Sequence, residues 1–309
     1  MKLRIGTRGS ALARWQANHV AERLRAHYAP ELDVEILTYK TTGDHILDRP
    51  LAEIGGKGLF TKELEVAIEE GAIDLAVHSL KDMPTVLPAG MTIAAIPKRA
   101  DVRDCVLTRV GDTQPPRIIG TASLRRACLA GKRWSHARSE PIRGNVLTRM
   151  NRLFESGERR VDAVILAMAG MIRLGYPEER TDIDFLPLNP EHWIPAVGQG
   201  ALAIECREDD TATRDLLSPI HHEATSRCTA AERTFLRAVE GDCRVPVGAY
   251  ATADGTTIRL KAFVGDPETL ATVVHTALGD DPEQLGQAVA DEVLSAGGHA
   301  MLERLRQHR

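Results

Sequence analysis

Residues 117–132 read RIIGTASLRRACLAGK, and residues 3–16 read LRIGTRGSALARWQ. Each begins as a short apolar run, closes on Ile-Gly-Thr, sets a serine where the next segment starts, and continues with apolar residues at helical spacing. A strand that ends in Gly-Thr and passes through a hydroxyl residue into a helix is the junction of an α/β unit, with serine as the N-cap. Ile5 to Leu12 and Ile119 to Arg126 therefore form a weak internal repeat, with chance similarity as the competing reading.

Working outward, the same alternation recurs. DVEILTY, DLAVHS and VDAVILAMAG read as strands; KGLFTKELEVAIEEG and the stretch after Ser123 read as helices. Strands alternating with helices predict an α/β chain whose sheets are mixed and mostly parallel. The chain's 309 residues exceed what one core usually covers. Crossings between domains are expected around PKRADVRD (97–104) and in HWIPAVGQGALAIEC (192–206), where proline and glycine punctuate apolar sequence. The expected division is domain 1 at 1–98 with 199–217, domain 2 at 99–198, and domain 3 at 218–309. The last is a smaller α+β domain, with a helix over 225–239, strands near 246–252 and 257–264, and a final helix over 282–305.

Composition narrows the function. Net charge is −4 and aromatics are 4%, so both the basic footprint and the stacking residues of a nucleic-acid binder are lacking. No stretch approaches the roughly 18 apolar residues of a membrane span, and MKLRIGTRGS meets charge before any apolar run forms. The expectation is a cytoplasmic protein without membrane or nucleic-acid partners. Five cysteines, at 105, 128, 206, 228 and 243, lack any CxxC pair, which argues against a disulfide framework or a zinc cluster. His221-His222 lack suitably spaced partners, so no metal is expected. Eight lysines leave 31 arginines, a tilt toward the planar fork that matches carboxylates, although a GC-rich genome produces the same tilt.

The placement of the arginines carries more. A guanidinium at a helix N-terminus opposes the helix dipole by about 0.3–1 kcal/mol when exposed, so Arg125 and Arg126 are poor helix stabilisers and better explained by an anionic ligand. Arg143 and Arg149 in IRGNVLTRM and Arg173 after VILAMAG add cations at two more strand-to-helix junctions. Each alone reads as a solvated surface residue; together they point to several carboxylates bound at once, in a cleft faced by both repeats. Lys81 and Asp82, in HSLKDMPT, fall just past a strand end, where they read either as a surface ion pair or as a carboxylate aimed at a cationic cleft. Cys243 lies in the polar loop GDCRVP outside every apolar pattern, and its residue chemistry leaves a functional thiol and an inert one equally open. IGGKGLF (54–60) is glycine-rich but has no Walker spacing.

IGTRGSALARWQ, GGKGLFTKELE, AVHSLKDMPT, IGTASLRRACL, IRGNVLTRM, PAVGQGALAIECR and GDCRVPVGAY occur in this order. With these segments the chain resembles the porphobilinogen deaminase family along essentially its whole length. The resemblance implies two periplasmic-binding-protein-like α/β domains plus a smaller C-terminal α+β domain, in a monomer. It implies an enzyme that condenses four porphobilinogen molecules head to tail into hydroxymethylbilane, releasing ammonia at each step. It further implies a dipyrromethane cofactor joined by a thioether to Cys243, with Asp82 as the catalytic carboxylate that holds the pyrrole N–H and stabilises an azafulvene cation. By position, Lys81, Thr121, Ser123, Arg125, Arg126 and Gln199 match cofactor contacts, and Arg8, Ser10, Lys57, Arg143, Arg149 and Arg173 match substrate contacts. Six pyrroles carry about a dozen carboxylates, which accounts for the arginines. Glu53, where some members have lysine, and Asp242, where glycine is frequent, depart from the pattern. Two other readings compete. A non-catalytic twin-domain anion-binding module explains the arginines but not Asp82 with Cys243, and a cysteine-nucleophile acyl transferase would need a histidine base.

Overall fold

The computed structural model describes residues 1–45, 58–239 and 245–307. The chain begins with β1 (Lys2–Arg8), β2 (Asp33–Tyr39), β3 (Leu75–Ser79) and β4 (Met91–Ala95), then builds a second sheet from β5 (Asp104–Arg109), β6 (Ile118–Gly120), β7 (Arg138–Glu140), β8 (Ala163–Ala167) and β9 (Ile183–Pro187). It returns as β10 (Leu202–Arg207), which enters the first sheet. The sheet orders are β2-β1-β3-β10-β4 and β7-β6-β8-β5-β9. In each, the strand ending in Ile-Gly-Thr or Ile-Gly lies between two parallel neighbours, followed by one antiparallel strand and an edge strand. Four strands of five run one way, as the sequence predicts, and the repeat seen in the sequence is a repeat of topology. The antiparallel strand is in both cases the first after a crossing, β5 after Ala100 and β10 after Gln199.

The described residues up to Ala100, together with Gly200–Ser226, form one compact unit; Asp101–Gln199 and the residues from Arg227 onward form the other. Most of the expected second and third domains thus lies in the second unit, with 99–100 and 218–226 in the first.

In the first unit the helix Ala11–Tyr28 buries Ala17, Val20, Ala21 and Leu24, spaced to lie on one face, against Leu3, Ile5 and Val34. Cutting Leu24 to alanine in such a packed site costs about 2–5 kcal/mol. The opposite face of the sheet takes Leu64, Ala67 and Ile68 of the helix Lys62–Glu69. Gly6 is required here, because a Cβ at that position would collide with Ile73. Its counterpart Gly120 would likewise press on Ile142, at 2.9 Å. In the second unit, β8 alternates: Val164 and Leu166 join one core while Ala163 and Ile165 join another, so both faces of the sheet are covered.

The C-terminal part of the second unit is an antiparallel sheet of β11 (Val247–Asp254), β12 (Thr257–Gly265) and β13 (Thr272–Gly279). The helices Glu223–Ala238 and Pro282–Val293 pack on it through Ala231, Phe235, Leu285 and Val289. Two sequence expectations are corrected. β13 goes unread because it is a half-exposed edge strand with no strong apolar alternation. The final helix is two pieces, broken where Gly297 takes φ +110° before His299–Gln307 begins.

Candidate active site

In the first unit, β1 runs into the helix Ala11–Tyr28 through Ser10, whose hydroxyl accepts from Ala13 N at 3.2 Å. Arg8, at the end of β1, lays its guanidinium over the Phe60 ring, 4.2 Å from the centroid. β3 ends at Ser79 and passes into one 3₁₀ turn, Leu80–Asp82, held by Leu80 N donating to Ala201 O (3.0 Å) and Met83 N to Leu80 O (3.2 Å). Lys81 is partly buried on this turn; Asp82 is exposed, and among the described residues its carboxylate has no side-chain partner. The strand end therefore presents a free carboxylate on a fixed backbone.

In the second unit, Ser123 repeats the role of Ser10: it caps the helix Leu124–Arg133 by accepting from Arg126 N (3.4 Å), and Thr121 Oγ1 accepts from Ser123 N (3.2 Å). At the helix start where an anionic ligand is expected, Arg125 and Arg126 meet a carboxylate of the chain itself. Both are buried, and both reach Asp104 at the start of β5. Arg125 Nη2 lies 2.7 Å from Oδ2 and Arg126 Nη2 2.7 Å from Oδ1. Gln199 Nε2 donates to the same Oδ1 (2.9 Å) and Trp193 Nε1 to Oδ2 (2.8 Å). Burial by itself would raise the Asp104 pKa; the charges of Arg125 and Arg126, with hydrogen bonds from Arg126 and Gln199, overcome it and hold the carboxyl well below its usual range. Two guanidinium groups against one carboxylate leave this buried group with a net positive charge.

Arg143 precedes a sharp turn. Gly144 takes φ +97°, Asn145 caps the helix Val146–Asn151 by accepting from Thr148 N (2.9 Å), and Arg149 Nε folds back onto Gly144 O (2.8 Å). Two nitrogens of Arg143, Nε and Nη2, are buried without a hydrogen-bond partner. Arg173 ends the helix Met168–Arg173, where burial pulls its pKa down to about 10, still charged at neutral pH. Lys57, Cys243 and the departures Glu53 and Asp242 lie outside the described residues. Cys105, Cys128, Cys206 and Cys228 are buried free thiols. Burial pushes Cys105 up to about 12 and Cys128 and Cys206 up to about 11, which disfavours the reactive thiolate at all three. His221 Nδ1 accepts from Ile96 N (3.3 Å), 125 residues away, and His222 Nδ1 accepts from Thr225 N (3.2 Å) at a helix start. Asp104 and Trp193 are the site residues that sequence reasoning missed; the one available signal was an acidic residue placed directly before the apolar run Cys105–Leu107.

Buried arginines in excess of their carboxylate, at a strand-to-helix junction of an α/β unit, leave positive charge that a carboxylated small molecule could pair with. The family model described as "Porphobilinogen deaminase, dipyromethane cofactor binding domain" matches residues 3–215, and that described as "Porphobilinogen deaminase, C-terminal domain" matches 226–295. Porphobilinogen deaminase of Listeria welshimeri is 43% identical, covering 99% of this chain and 98% of its own. The enzymes of Thiobacillus denitrificans and Acidithiobacillus ferrooxidans are 45% and 44% identical, each over 98% of both chains. Among solved structures, an ABC transporter protein from Parabacteroides distasonis has TM-score 0.42 at 10% identity, covering 78% of this chain and 74% of its own. The chain belongs to the porphobilinogen deaminase family.

The activity is accordingly a transfer reaction: porphobilinogen molecules are condensed with loss of ammonia into hydroxymethylbilane, with a dipyrromethane cofactor. The residues present fit such a group, since a net-positive buried cluster and an Arg143 with two unpartnered nitrogens both call for carboxylates. No helix among the described residues is long and apolar enough to cross a membrane.

Proposed function

We propose that Asp82 is the catalytic carboxylate of this condensation and that Cys243 holds the dipyrromethane through a thioether. Lys81, Thr121, Ser123, Arg125, Arg126 and Gln199 take the cofactor's carboxylates, and Arg8, Ser10, Lys57, Arg143, Arg149 and Arg173 take those of porphobilinogen. The observation that carries this reading is the Asp104 cluster, whose net positive charge in a buried setting suits an anionic side group. When bound, the dipyrromethane supplies the terminal pyrrole from which the product grows. Asp82, exposed and unengaged at the end of β3, accepts the pyrrole N–H of the substrate and stabilises the positive charge that develops as ammonia departs. The same carboxylate takes up the proton released by the attacking ring. Arg143 binds by charge-assisted forks that a lysine would not reproduce.

The reading includes domain limits at 1–98 with 199–217, 99–198 and 218–309, a monomer, and a cytoplasmic location. Light scattering of the purified protein tests the monomer. The deciding experiment is intact mass of wild type beside Cys243→Ser. Mass added by two linked pyrroles in wild type, absent from the variant, is the expected result. The same added mass in the variant would remove Cys243 from the site.

A further inference from the structure

Beneath the turn that carries Lys81 and Asp82 lies a second cluster of ionisable groups that takes no part in the chemistry described so far. His78 of β3 and Glu205 of β10 are both buried, and His78 Nε2 lies 3.0 Å from Glu205 Oε2 without a well-aligned hydrogen bond. Glu65, from the helix Lys62–Glu69, faces the same pair and also has a buried oxygen without a partner. Burial raises the Glu65 carboxyl, and the charge of Glu205 adds to that.

The sheet explains how these groups meet. β3 and β10 pair antiparallel with Ala203 opposite His78 and Glu205 opposite Ala76, so the imidazole and the carboxylate are diagonal neighbours on one face. The residues between them on that face are alanines, which key the two strands weakly. A slide that keeps every residue on its own face would cost those alanines little, yet it would pull His78 and Glu205 apart or force them directly opposite. On its other side β10 pairs with β4 through a bulge, the register skipping Ala94 between Ile204 and Glu205, a feature enriched beside active sites. A buried ion pair is an expensive way to gain stability, and its best-attested use is to fix a register.

We propose that His78 and Glu205 are positioning residues for turnover, a buried histidine–carboxylate pair that locks β3 to β10 and thereby sets where the turn carrying Asp82 presents its carboxylate. Asp82 follows His78 by four residues, an interval tied down by Leu80 N on Ala201 O, Met83 N on Leu80 O and Gln16 Nε2 on Ser79 Oγ. The inference rests on Asp82 being the catalytic carboxylate.

Steady-state turnover of porphobilinogen by the holoenzyme tests it in four variants. Glu205→Gln should lower kcat at least about tenfold with KM within about twofold, since a displacement near 1 Å at a reacting group is felt in kcat. His78→Gln, whose amide nitrogen replaces Nε2, should keep kcat within about threefold. The double variant His78→Leu with Glu205→Met should recover the melting temperature, because apolar pairs of similar size often replace buried ion pairs without loss, but should not recover kcat. Wild-type kcat in the folded double variant would overturn the proposal, and this variant decides the matter if Glu205→Gln does not fold. Asp82→Asn is the reference: its wild-type turnover would remove the Asp82 reading, whereas an inactive Asp82→Asn beside a fully active Glu205→Gln would remove only the positioning role.

Discussion

Arg125 and Arg126 are consecutive in the chain yet hold opposite oxygens of one carboxylate, that of Asp104, each at 2.7 Å. The helix start that brings them together is disfavoured for cations, and the ion pairs offset that cost. Removing the shared anion leaves two guanidinium groups buried without it. Asp104→Asn should therefore lose about 3–5 kcal/mol of stability, read as a lower urea midpoint.

The acid limb follows from the same group. Its folded pKa lies below the ordinary carboxylate value of about 3.9, so the folded state binds fewer protons than the unfolded one over that range. The contribution is present in full above about pH 4 and is lost as pH falls below it toward the folded value. Urea midpoints measured from pH 6 downward should drop for wild type below pH 4 and drop less for Asp104→Asn. Equal slopes would mean that Asp104 is not the group responsible.

Asp82 offers the opposite case, an exposed carboxylate without a side-chain partner among the described residues. Asp82→Asn should melt with wild type and retain the cofactor by mass, while kcat falls by about 10²–10⁴, the range of a lost acid–base group. Near-normal kcat would return Asp82 to an ordinary surface role.

Arg143 separates binding from stability. Its Nε and Nη2 are buried and unpartnered, so the charge costs the folded protein something when no anion is present. Arg143→Met should raise the melting temperature of cofactor-free protein by about 2–4 °C per kcal/mol recovered, while kcat/KM for porphobilinogen falls. A loss of both would assign Arg143 to the fold.

Thiol counting tests the attachment site independently of mass. Cys105, Cys128, Cys206 and Cys228 are buried, and Cys243 is the fifth cysteine. Native holoenzyme should react slowly with a disulfide reagent at pH 8, and unfolding in guanidinium should release four thiols, the fifth being held as a thioether. Five released thiols from protein that carries the added mass would exclude Cys243 as the anchor.

Much of this was legible in the sequence because the junctions are local. Ile-Gly-Thr, the serine cap and the helix spacing announce β1 and β6 with their helices, and the same segments carry the family resemblance. Cys105, Cys128, Cys206 and Cys228 are buried within strands and helices. What could not be read depends on distant pairing. Asp104 meets Trp193 across 89 residues and Gln199 across 95. Nothing in PKRADVRD distinguishes the acid that will be buried from Asp101, which binds Arg103 two residues away. β13 escaped because an exposed edge strand carries little burial pattern, and His78 with Glu205 because diagonal neighbours in a sheet have no fixed sequence spacing.

The exchange of strands has a consequence for the order in which the chain can fold as it is made. The first sheet holds β10 between β3 and β4, and β10 is Leu202–Arg207. Until those residues leave the ribosome, β3 and β4 have a gap between them and the first unit cannot close. The second sheet has no such debt, because β5 to β9 are contiguous. The later part of the chain can therefore complete its sheet before the earlier part completes its own, and no cut at a single point yields the N-terminal unit free of the second sheet's strands.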